Sequence, residues 1–497
     1  MTDAVQSHNL ESQILEFTLN GQTVRLSAVS PTMTLLQYLQ QSGRSGTKEG
    51  CGDGDCGACT VAVMGQDAQG KPTYHAINSC LIPIGAIAGR TVITVEGLAE
   101  AERLHPVQAA MVETGGSQCG YCTPGFIMSL FAAYYGADGA IPDETVEGNL
   151  CRCTGYLPIR RAAQQLSQQL SQATLNQAAL NQAPLNQVTP RDRFSAQLAN
   201  YAAPRDDFAY ISPTERFYRP TQLQTALELL HQYPDAVVLA GGTDLGLDLS
   251  HRRRSFPTIV ALEAIPELQE IQQLENSFSI GASVSLSHLK TKLHGYFPSL
   301  DEMLVWFAAQ QVRNRATMGG NLATASPIGD LPPVLLALDA VVELVSLNGV
   351  RRVPIAEFFT AYRKTVLQPG ELIRSIEIPT TLTPQTTQRH SQSYKIGKRG
   401  ADDISIVAAA FTIDLDAYNT IVHARLAYGG VAATPIRAIE IEQDLIGQPW
   451  TRETVRACKP KLRDCFTPLS DLRGSAHYRK TLVANLFEKF FIDMGGR

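Results

Sequence analysis

This sequence lacks the features that mark a membrane, secreted or nucleic-acid-binding protein. No apolar run is long enough to cross a bilayer, and the start, MTDAVQSHNLESQ, has neither the basic residues nor the apolar core of a signal peptide. The 497 residues carry a formal net charge of −5, which gives no electrostatic reason to bind nucleic acid or an anionic membrane. We therefore expect a cytoplasmic protein with no nucleic-acid or membrane partner.

Histidine metal motifs and the common nucleotide-binding loops are missing too. The ten histidines show no HExxH or related ligand spacing. The stretch from Gly65 to Lys71 matches most of a Walker A loop, but Pro72 follows where a Ser or Thr would bind magnesium, so we predict a hairpin loop. The Gly pair in VVLAGGTDLG is not GxGxxG, which argues against a Rossmann dinucleotide fold.

Cysteine, by contrast, is concentrated near the start of the chain. One set has the plant-type 2Fe-2S spacing, a tight triplet with a distant fourth member: Cys51, Cys56, Cys59 and Cys80. Cytosolic thiols stay reduced, so metal ligands are favoured over disulfides. Zinc is the alternative, but zinc sites usually pair two CxxC knuckles. Glycines in the same loop permit the positive φ angles needed to wrap a cluster: Gly50, Gly52, Gly54 and Gly57.

A second set combines CxxC with CxC: Cys119, Cys122, Cys151 and Cys153. This spacing could hold zinc as well as an iron–sulfur cluster. Cys122 and Cys153 each precede a predicted helix, and a helix N-terminus stabilises an anionic thiolate–iron core, which favours the cluster. The remaining two, Cys458 and Cys465, lie far from both sets, and we expect ordinary buried thiols there.

The pattern along the chain predicts a multidomain α+β protein. ILEFTLNGQTVRL predicts a hairpin about Asn20 and Gly21, and a helix ending at Gly43 and the strand TVAVM complete a β-rich domain. Four helical segments follow, including PDETVEGNL, and then LNQ repeats that predict a linker, partly helical or disordered. Strands and helices alternate to the end of the chain. The predicted bounds are 12–95 (β-rich), 96–170 (helical), 171–209 (linker), 210–385 (α+β) and 386–497 (C-terminal α+β with a closing helix).

The motifs in this order resemble the xanthine dehydrogenase branch of the molybdenum hydroxylase family, specifically its iron–sulfur and FAD small subunit. The resemblance rests on both cysteine motifs, on VVLAGGTDLG and on WFAAQQVRNRATMGGNLATASPIGDLPP. Either Gly pair alone would be interpreted as a turn or hairpin. Together they imply a ferredoxin-like β-grasp 2Fe-2S domain, a four-helix 2Fe-2S domain, and an α+β FAD-binding domain of the PCMH or CO-dehydrogenase-flavoprotein type with a C-terminal α+β subdomain.

The resemblance also implies site residues. The eight clustered cysteines would bind the metal. The FAD residues would be Val238, Leu239, Ala240, Gly241, Gly242, Thr243, Asp244, Leu245, Phe307, Thr317, Met318, Gly319, Gly320, Asn321, Asp330, Ile373 and Lys395. Tyr362 would lie near the nicotinamide, and Cys153, with Gln118 nearby, beside the pterin. No catalytic residue is assigned. The sequence departs from the family pattern at Gly242, commonly Asn, and at Ile373, commonly Leu.

The function that the resemblance implies is electron transfer. Electrons from purine oxidation on a large molybdopterin subunit would pass through two 2Fe-2S clusters to FAD and then NAD⁺. The chain leaves no room for a molybdopterin domain, so we expect a separate partner chain and a heterotetramer of two small and two large subunits. Two alternatives are a sister hydroxylase acting on an aldehyde, an N-heterocycle or an aromatic thioester, and a standalone NADH-linked electron carrier.

Overall fold

The computed structural model describes residues 14–101, 103–136, 140–180, 192–204, 206–400 and 402–495, with 173–180 described by their backbone alone. The chain divides into two compact units. The first comprises Met1–Ile265 and Ala309–Arg315, and the second comprises Pro266–Ala308 and Ala316–Arg497. Residues of the predicted FAD-binding domain therefore occur in both units. None of the helices in the described ranges is long and apolar enough to cross a membrane.

The β-rich domain forms a five-stranded sheet with a single α-helix. Its elements are β1 (Leu15–Leu19), β2 (Gln22–Leu26), α1 (Leu35–Gln41), β3 (Thr60–Gln66), β4 (Pro72–Asn78) and β5 (Thr91–Ile93). The strand order is β2-β1-β5-β3-β4, and β1 and β5 are parallel. The predicted hairpin turns at Asn20 and Gly21, both with positive φ, and the Walker-like stretch is the turn of the β3–β4 hairpin, as predicted.

Within its described residues the helical domain has four α-helices, but not the four that the sequence suggested. They are α2 (Pro106–Glu113), α3 (Thr123–Gly136), α4 (Leu157–Leu180) and α5 (Arg193–Ala199). PDETVEGNL forms only a 3-10 turn at Asp143–Val146, because Gly148 follows too soon for a longer helix. The fourth helix is α5, from the predicted linker, whose Phe194 and Leu198 join the helical core.

The predicted linker is thus partly ordered. Helix α4 continues to Leu180, ten residues past the predicted boundary, because Gln, Ala and Leu in this stretch are good helix formers. The later repeats, in 181–191, lie outside the described residues.

Residues 206–265 of the first unit form a four-stranded sheet with two helices. Its elements are β6 (Phe208–Ile211), β7 (Arg216–Arg219), α6 (Leu223–Gln232), β8 (Val237–Leu239), α7 (Leu245–Ser250) and β9 (Thr258–Ala261). The order is β6-β7-β9-β8, and β9 is parallel to both neighbours. Buried Phe217 and Leu239 share a core with Leu15 and Leu35 of the β-rich domain. Because β8 and β9 are parallel, their carboxyl ends lie at one edge of the sheet.

The second unit begins with a five-stranded antiparallel sheet of order β10-β11-β16-β12-β13. In chain order, this stretch contains β10 (Ile271–Gln273), β11 (Ser277–Gly281), α8 (Leu286–Lys292), α9 (Pro298–Trp306), α10 (Gln310–Arg313), α11 (Met318–Ala323), α12 (Leu331–Ala337), β12 (Val341–Ser346), β13 (Gly349–Pro354), α13 (Ile355–Phe358), β14 (Phe359–Ala361), β15 (Lys364–Thr365) and β16 (Leu372–Pro379). Of these, α10 belongs to the first unit. The pair β14–β15 forms a separate hairpin.

The C-terminal part packs an antiparallel sheet against three helices. Its elements are β17 (Gln388–Ile396), β18 (Val407–Leu415), β19 (Ile421–Gly429), β20 (Ile436–Arg437), α14 (Ile439–Leu445), α15 (Arg452–Asp464) and α16 (Ala476–Asp493). Every residue of β18 is buried. Cys458 is buried within α15, as expected, whereas the expectation of a buried Cys465 is wrong: it is exposed because it follows the last residue of that helix.

Candidate functional site

The first cysteine set forms two close pairs in the loop between α1 and β3 and at the end of β4. Cys59 Sγ lies 3.3 Å from Cys80 Sγ, and both side chains are buried. Cys51 and Cys56 form the other pair: the backbone amide of each donates to the Sγ of the other over 3.3 Å. A 2Fe-2S cluster has two thiolates on each iron, so two pairs of this kind fit its donor set.

Backbone N–H groups around Cys51 favour its thiolate. The amides of Asp53 and Cys56 each donate to Cys51 Sγ over 3.3 Å. The side chain of Cys56 is the largest influence on Cys51, and together with these amides it outweighs burial and lowers the pKa of Cys51 to about 5. The same contact raises the pKa of Cys56, so the pair shares one proton and the amides stabilise negative charge on Cys51 in particular.

The loop glycines act in two ways. Gly52, Gly54 and Gly57 have positive φ, as predicted, but Gly50 does not. Gly50 is required for space instead, because a Cβ there would lie 2.6 Å from Cys56 Sγ. The sequence could not distinguish these roles, since both call for the same residue.

The second set also forms two pairs. Burial and the neighbouring Cys151 raise the pKa of Cys122, and Cys119 raises the pKa of Cys153, so the side chains within each pair lie close together. Cys122 directly precedes α3, as predicted, and Cys151 Sγ lies 3.1 Å from the hydroxyl of Thr154. Cys119 and Cys153 are exposed.

The described residues contain no compact group of three or more His, Cys, Asp or Glu side chains placed for a single metal ion. Each cysteine set instead presents two pairs, and each iron of a 2Fe-2S cluster takes two thiolates. The donors therefore fit the cluster in number and kind.

Asn149 connects the two cysteine regions and was not predicted from the sequence. Its Nδ2 donates to the carbonyl of Gly57 over 2.9 Å, and its Oδ1 accepts from Ser129 Oγ over 2.7 Å and from Gln311 Nε2 over 3.1 Å. The next amide, of Leu150, donates to the carbonyl of Cys56 over 2.9 Å. Asn149 is 1 % exposed, so its hydrogen bonds are shielded from water. An Asn before a CxC motif gives no such signal in a single sequence.

Eight of the predicted FAD residues lie in the first unit, where β8 leads through the Gly pair into α7. Gly242 has φ +80°, and its carbonyl accepts from the amide of Gly246 over 2.7 Å. Asn tolerates such an angle better than most residues, so either residue suits the position. The loop leaves the carboxyl end of β8, where Leu262 N also bonds Leu239 O over 2.8 Å.

Other predicted FAD residues form a second group, in the second unit, around α11. Thr317 caps this helix through a 3.0 Å bond from the amide of Gly320. Gly319 cannot carry a side chain, because its Cβ would lie 2.6 Å from Ala282. Asn321 Oδ1 is buried and has no hydrogen-bond partner among the described residues, which leaves an acceptor for a ligand. The prediction of FAD contacts here fits that unsatisfied atom.

Asp330 and Lys395, far apart in sequence, come together in the second unit. Lys395 Nζ lies 2.9 Å from Asp330 Oδ2 and also donates to the carbonyl of Trp306 over 3.0 Å. Ser405, which was not predicted, donates to Asp330 Oδ1 over 2.5 Å. The Lys395 side chain is 3 % exposed, so Asp330 provides the counter-charge to an ammonium that is shielded from water.

The remaining predicted positions differ in exposure. Phe307 and Ile373 are buried, at 9 % and 6 % exposed, as apolar contacts of a ring would be. Tyr362 is 62 % exposed, between β14 and β15.

Known families match the chain in four consecutive stretches. They are described as 2Fe-2S iron-sulfur cluster binding domain (residues 17–84), [2Fe-2S] binding domain (94–164), FAD binding domain in molybdopterin dehydrogenase (211–381) and CO dehydrogenase flavoprotein C-terminal domain (392–494). The chain belongs to the molybdenum hydroxylase family. As the iron–sulfur and FAD part of a molybdenum hydroxylase, it uses two 2Fe-2S clusters and FAD. The match of residues 94–164 to a [2Fe-2S] binding domain favours the cluster over zinc at the second cysteine set.

Relatives of this molybdenum hydroxylase chain include xanthine dehydrogenase from Emericella nidulans, which is 34% identical over 97% of the chain and 38% of its own length. The chain thus spans about 38–40% of the length of the curated relatives it matches. Carbon monoxide dehydrogenase from Hydrogenophaga pseudoflava and quinoline 2-oxidoreductase from Pseudomonas putida 86 are similar solved structures. Each has a TM-score of 0.52 and 29% identity, and covers 56% of this chain and 96% of its own.

Proposed function

We propose that this chain is the electron-transferring small subunit of a xanthine dehydrogenase, serving hypoxanthine and xanthine oxidation with NAD⁺ as acceptor. The observation that carries the proposal is the extent of the match. A curated xanthine dehydrogenase aligns with 97% of the chain, whereas the carbon monoxide and quinoline structures each align with 56%. Both cysteine regions and the FAD segments therefore occur in one chain in the order of that relative.

The proposal gives the eight paired cysteines the role of cluster ligands. It gives FAD contacts to the glycine loop after β8 in the first unit and, separately, to the α11 loop, Asp330 and Lys395 in the second unit. When bound, 2Fe-2S clusters transfer single electrons and FAD converts them into a hydride for NAD⁺. The protein's part is to hold the thiolates charged, as the amides at Cys51 do, and to keep the buried cation of Lys395 paired. The domain bounds given above remain part of this proposal.

Two members of the second cysteine set lie at the surface, where a molybdopterin partner would approach them. Cys119 and Cys153 are exposed, and the apolar neighbours Tyr121 and Leu150 are 51 % and 57 % exposed. Exposed apolar side chains beside exposed ligands favour coverage by another chain. We propose a large molybdopterin subunit as that chain, in a heterotetramer of two small and two large subunits in the cytoplasm.

Xanthine-dependent reduction of NAD⁺ tests the proposal, with protein purified under native conditions from its own host together with any bound subunit. We expect NADH to form with xanthine and to be absent when xanthine is omitted. The same preparation should oxidise NADH with ferricyanide, which measures the FAD half alone. Ferricyanide reduction without any xanthine turnover would refute the purine assignment and leave the FAD half standing.

A sister hydroxylase is the second candidate. The similarity to carbon monoxide dehydrogenase and to quinoline 2-oxidoreductase favours it, since each of these structures is 29% identical to this chain. The assay above distinguishes it when carbon monoxide, quinoline and an aldehyde are offered in place of xanthine, with a dye as acceptor. Turnover of one of these in place of xanthine would move the assignment to that substrate.

A further inference from the structure

Three arginines surround one largely buried glutamate, Glu263, just beyond the end of β9. Glu263 Oε2 lies 2.6 Å from Arg315 Nη1 and 3.2 Å from Arg90 Nη2. Arg219 is 3 % exposed and donates to the carbonyl of Ala88 over 2.8 Å, and its charge also acts on Glu263. The glutamate side chain is 10 % exposed. All of these residues belong to the first unit.

The group carries more positive than negative charge at neutral pH. Burial alone would raise the pKa of Glu263, but the charges of Arg315, Arg90 and Arg219 outweigh burial and lower it to about 2. Burial lowers the pKa of Arg219 to about 10, which still leaves it protonated. Burial also lowers the pKa of the nearby His75, so that ring stays neutral. Three guanidinium groups thus face one carboxylate.

Arg315 links this group to the predicted flavin loop. Its Nε lies 3.2 Å from the carbonyl oxygen of Gly241, while its Nη1 is held by Glu263. Its Nη2 is buried and has no hydrogen-bond partner in the described part of the chain. A buried cationic donor without a partner, beside a glycine loop and within surplus positive charge, favours an anion.

We propose that Arg315 is a positioning residue for the diphosphate of FAD, held against Gly241 by Glu263 and supplying charge that Glu263 only partly neutralises. The hydrogen bond from Arg315 Nε to the carbonyl of Gly241 fixes the peptide that follows β8, so the loop amides keep one orientation. The charge then makes the loop selective for an anion of high charge density over a neutral flavin. This inference rests on the proposed FAD site and adds Arg315 and Glu263 to it.

The test measures the FAD affinity of the full chain. The bound flavin is removed, FAD is added back, and binding is monitored by flavin fluorescence. Arg315→Met should weaken FAD binding about tenfold or more, because it removes hydrogen bonds and a charge from a buried site. Arg315→Lys keeps the charge and should recover most of that loss. Arg216→Met is the matched control: it removes an exposed arginine of the same unit that stacks on Tyr233, and FAD affinity should not change.

A measurement on the unaltered chain guards against variants that fail to fold. Inorganic pyrophosphate should compete with FAD at concentrations where sodium chloride of equal ionic strength does not. Iron content and cluster EPR signals should stay at the wild-type level in every variant. Equal losses in the Met and Lys variants, or no competition by pyrophosphate, would overturn the proposal. A wild-type chain that binds no FAD would instead remove the FAD site on which the proposal rests.

Discussion

Replacing Gly57 with alanine tests the junction between the two cysteine regions. Gly57 has φ +65°, and a Cβ there would lie 2.1 Å from the carbonyl oxygen of Gly148 and 2.4 Å from Asn149 Nδ2. Both neighbours are parts of the chain that cannot swing away freely, because Gly148 O is backbone and Asn149 is held by Ser129 and Gln311. The alanine must therefore displace the segment that carries the CxC motif of the second cysteine set.

The cost has two parts. An alanine in the left-handed region costs about 1–2 kcal/mol. Displacing Asn149 breaks its buried bond to Gly57 and leaves unsatisfied polar groups, at about 1–3 kcal/mol more. Gly70→Ala provides the matched control: Gly70 has φ +79° in the same domain, yet a Cβ there would meet nothing within 4 Å. The free energy of unfolding of Gly70→Ala should therefore fall only by the first of these two amounts, the cost of an alanine in the left-handed region.

The assay combines urea unfolding of both variants with EPR of the two clusters. We expect the unfolding midpoint of Gly57→Ala to fall further than that of Gly70→Ala, and the signal of the second cluster to broaden or disappear. Gly70→Ala should keep both signals. Equal midpoints for the two variants, with both clusters intact in each, would show that the contact at Gly148 does not constrain the junction.

Three further changes follow from other parts of the structure. Asp330→Asn leaves the buried Lys395 cation without a counter-charge, at about 3 kcal/mol, so flavin absorbance should fall while iron content is kept; full flavin occupancy would contradict the placement of Asp330. Cys153→Ser should remove one EPR-active cluster and spare FAD, whereas Cys465→Ser should remove neither; two intact clusters in the first variant would undo the ligand assignment. Burial lowers the pKa of His105 to about 4, so between pH 6.5 and 4 the unfolded chain takes up a proton that the folded chain does not, and stability falls as pH falls. His105→Asn should flatten that dependence in unfolding experiments over this pH range, and an unchanged slope would mean that His105 does not set it.

Local sequence predicted the structure correctly where a feature depends on neighbours along the chain. The hairpin at Asn20 and Gly21 and the turn between β3 and β4 follow from turn residues between alternating strands. The first 2Fe-2S domain was recognised from cysteine spacing, because three of its ligands lie in one short loop. The spacing of the second set left zinc open, and helix positions and the family resemblance favoured a cluster there. The same reasoning was wrong at PDETVEGNL and Cys465, where helix length and helix end decide the outcome.

Sequence reasoning failed where a residue acts on a distant segment. The fourth helix of the helical domain is α5, which joins by burying Phe194 after an intervening stretch of chain. Ser405 reaches Asp330 across 75 positions, and Arg315 reaches Gly241 across 74. Such pairs have no spacing rule, because the fold alone sets how far apart the partners lie in sequence.

The sequence by itself therefore determined the cofactor class and the order of the domains, since thiolate spacing and glycine loops are local chemistry. Tertiary structure alone decided which residues support those sites. It assigns 309–315 to the first unit and the residues on either side to the second, and thereby brings Gln311 to Asn149 and Arg315 to Glu263. The physical reason is that buried polar groups must find partners wherever the fold places them.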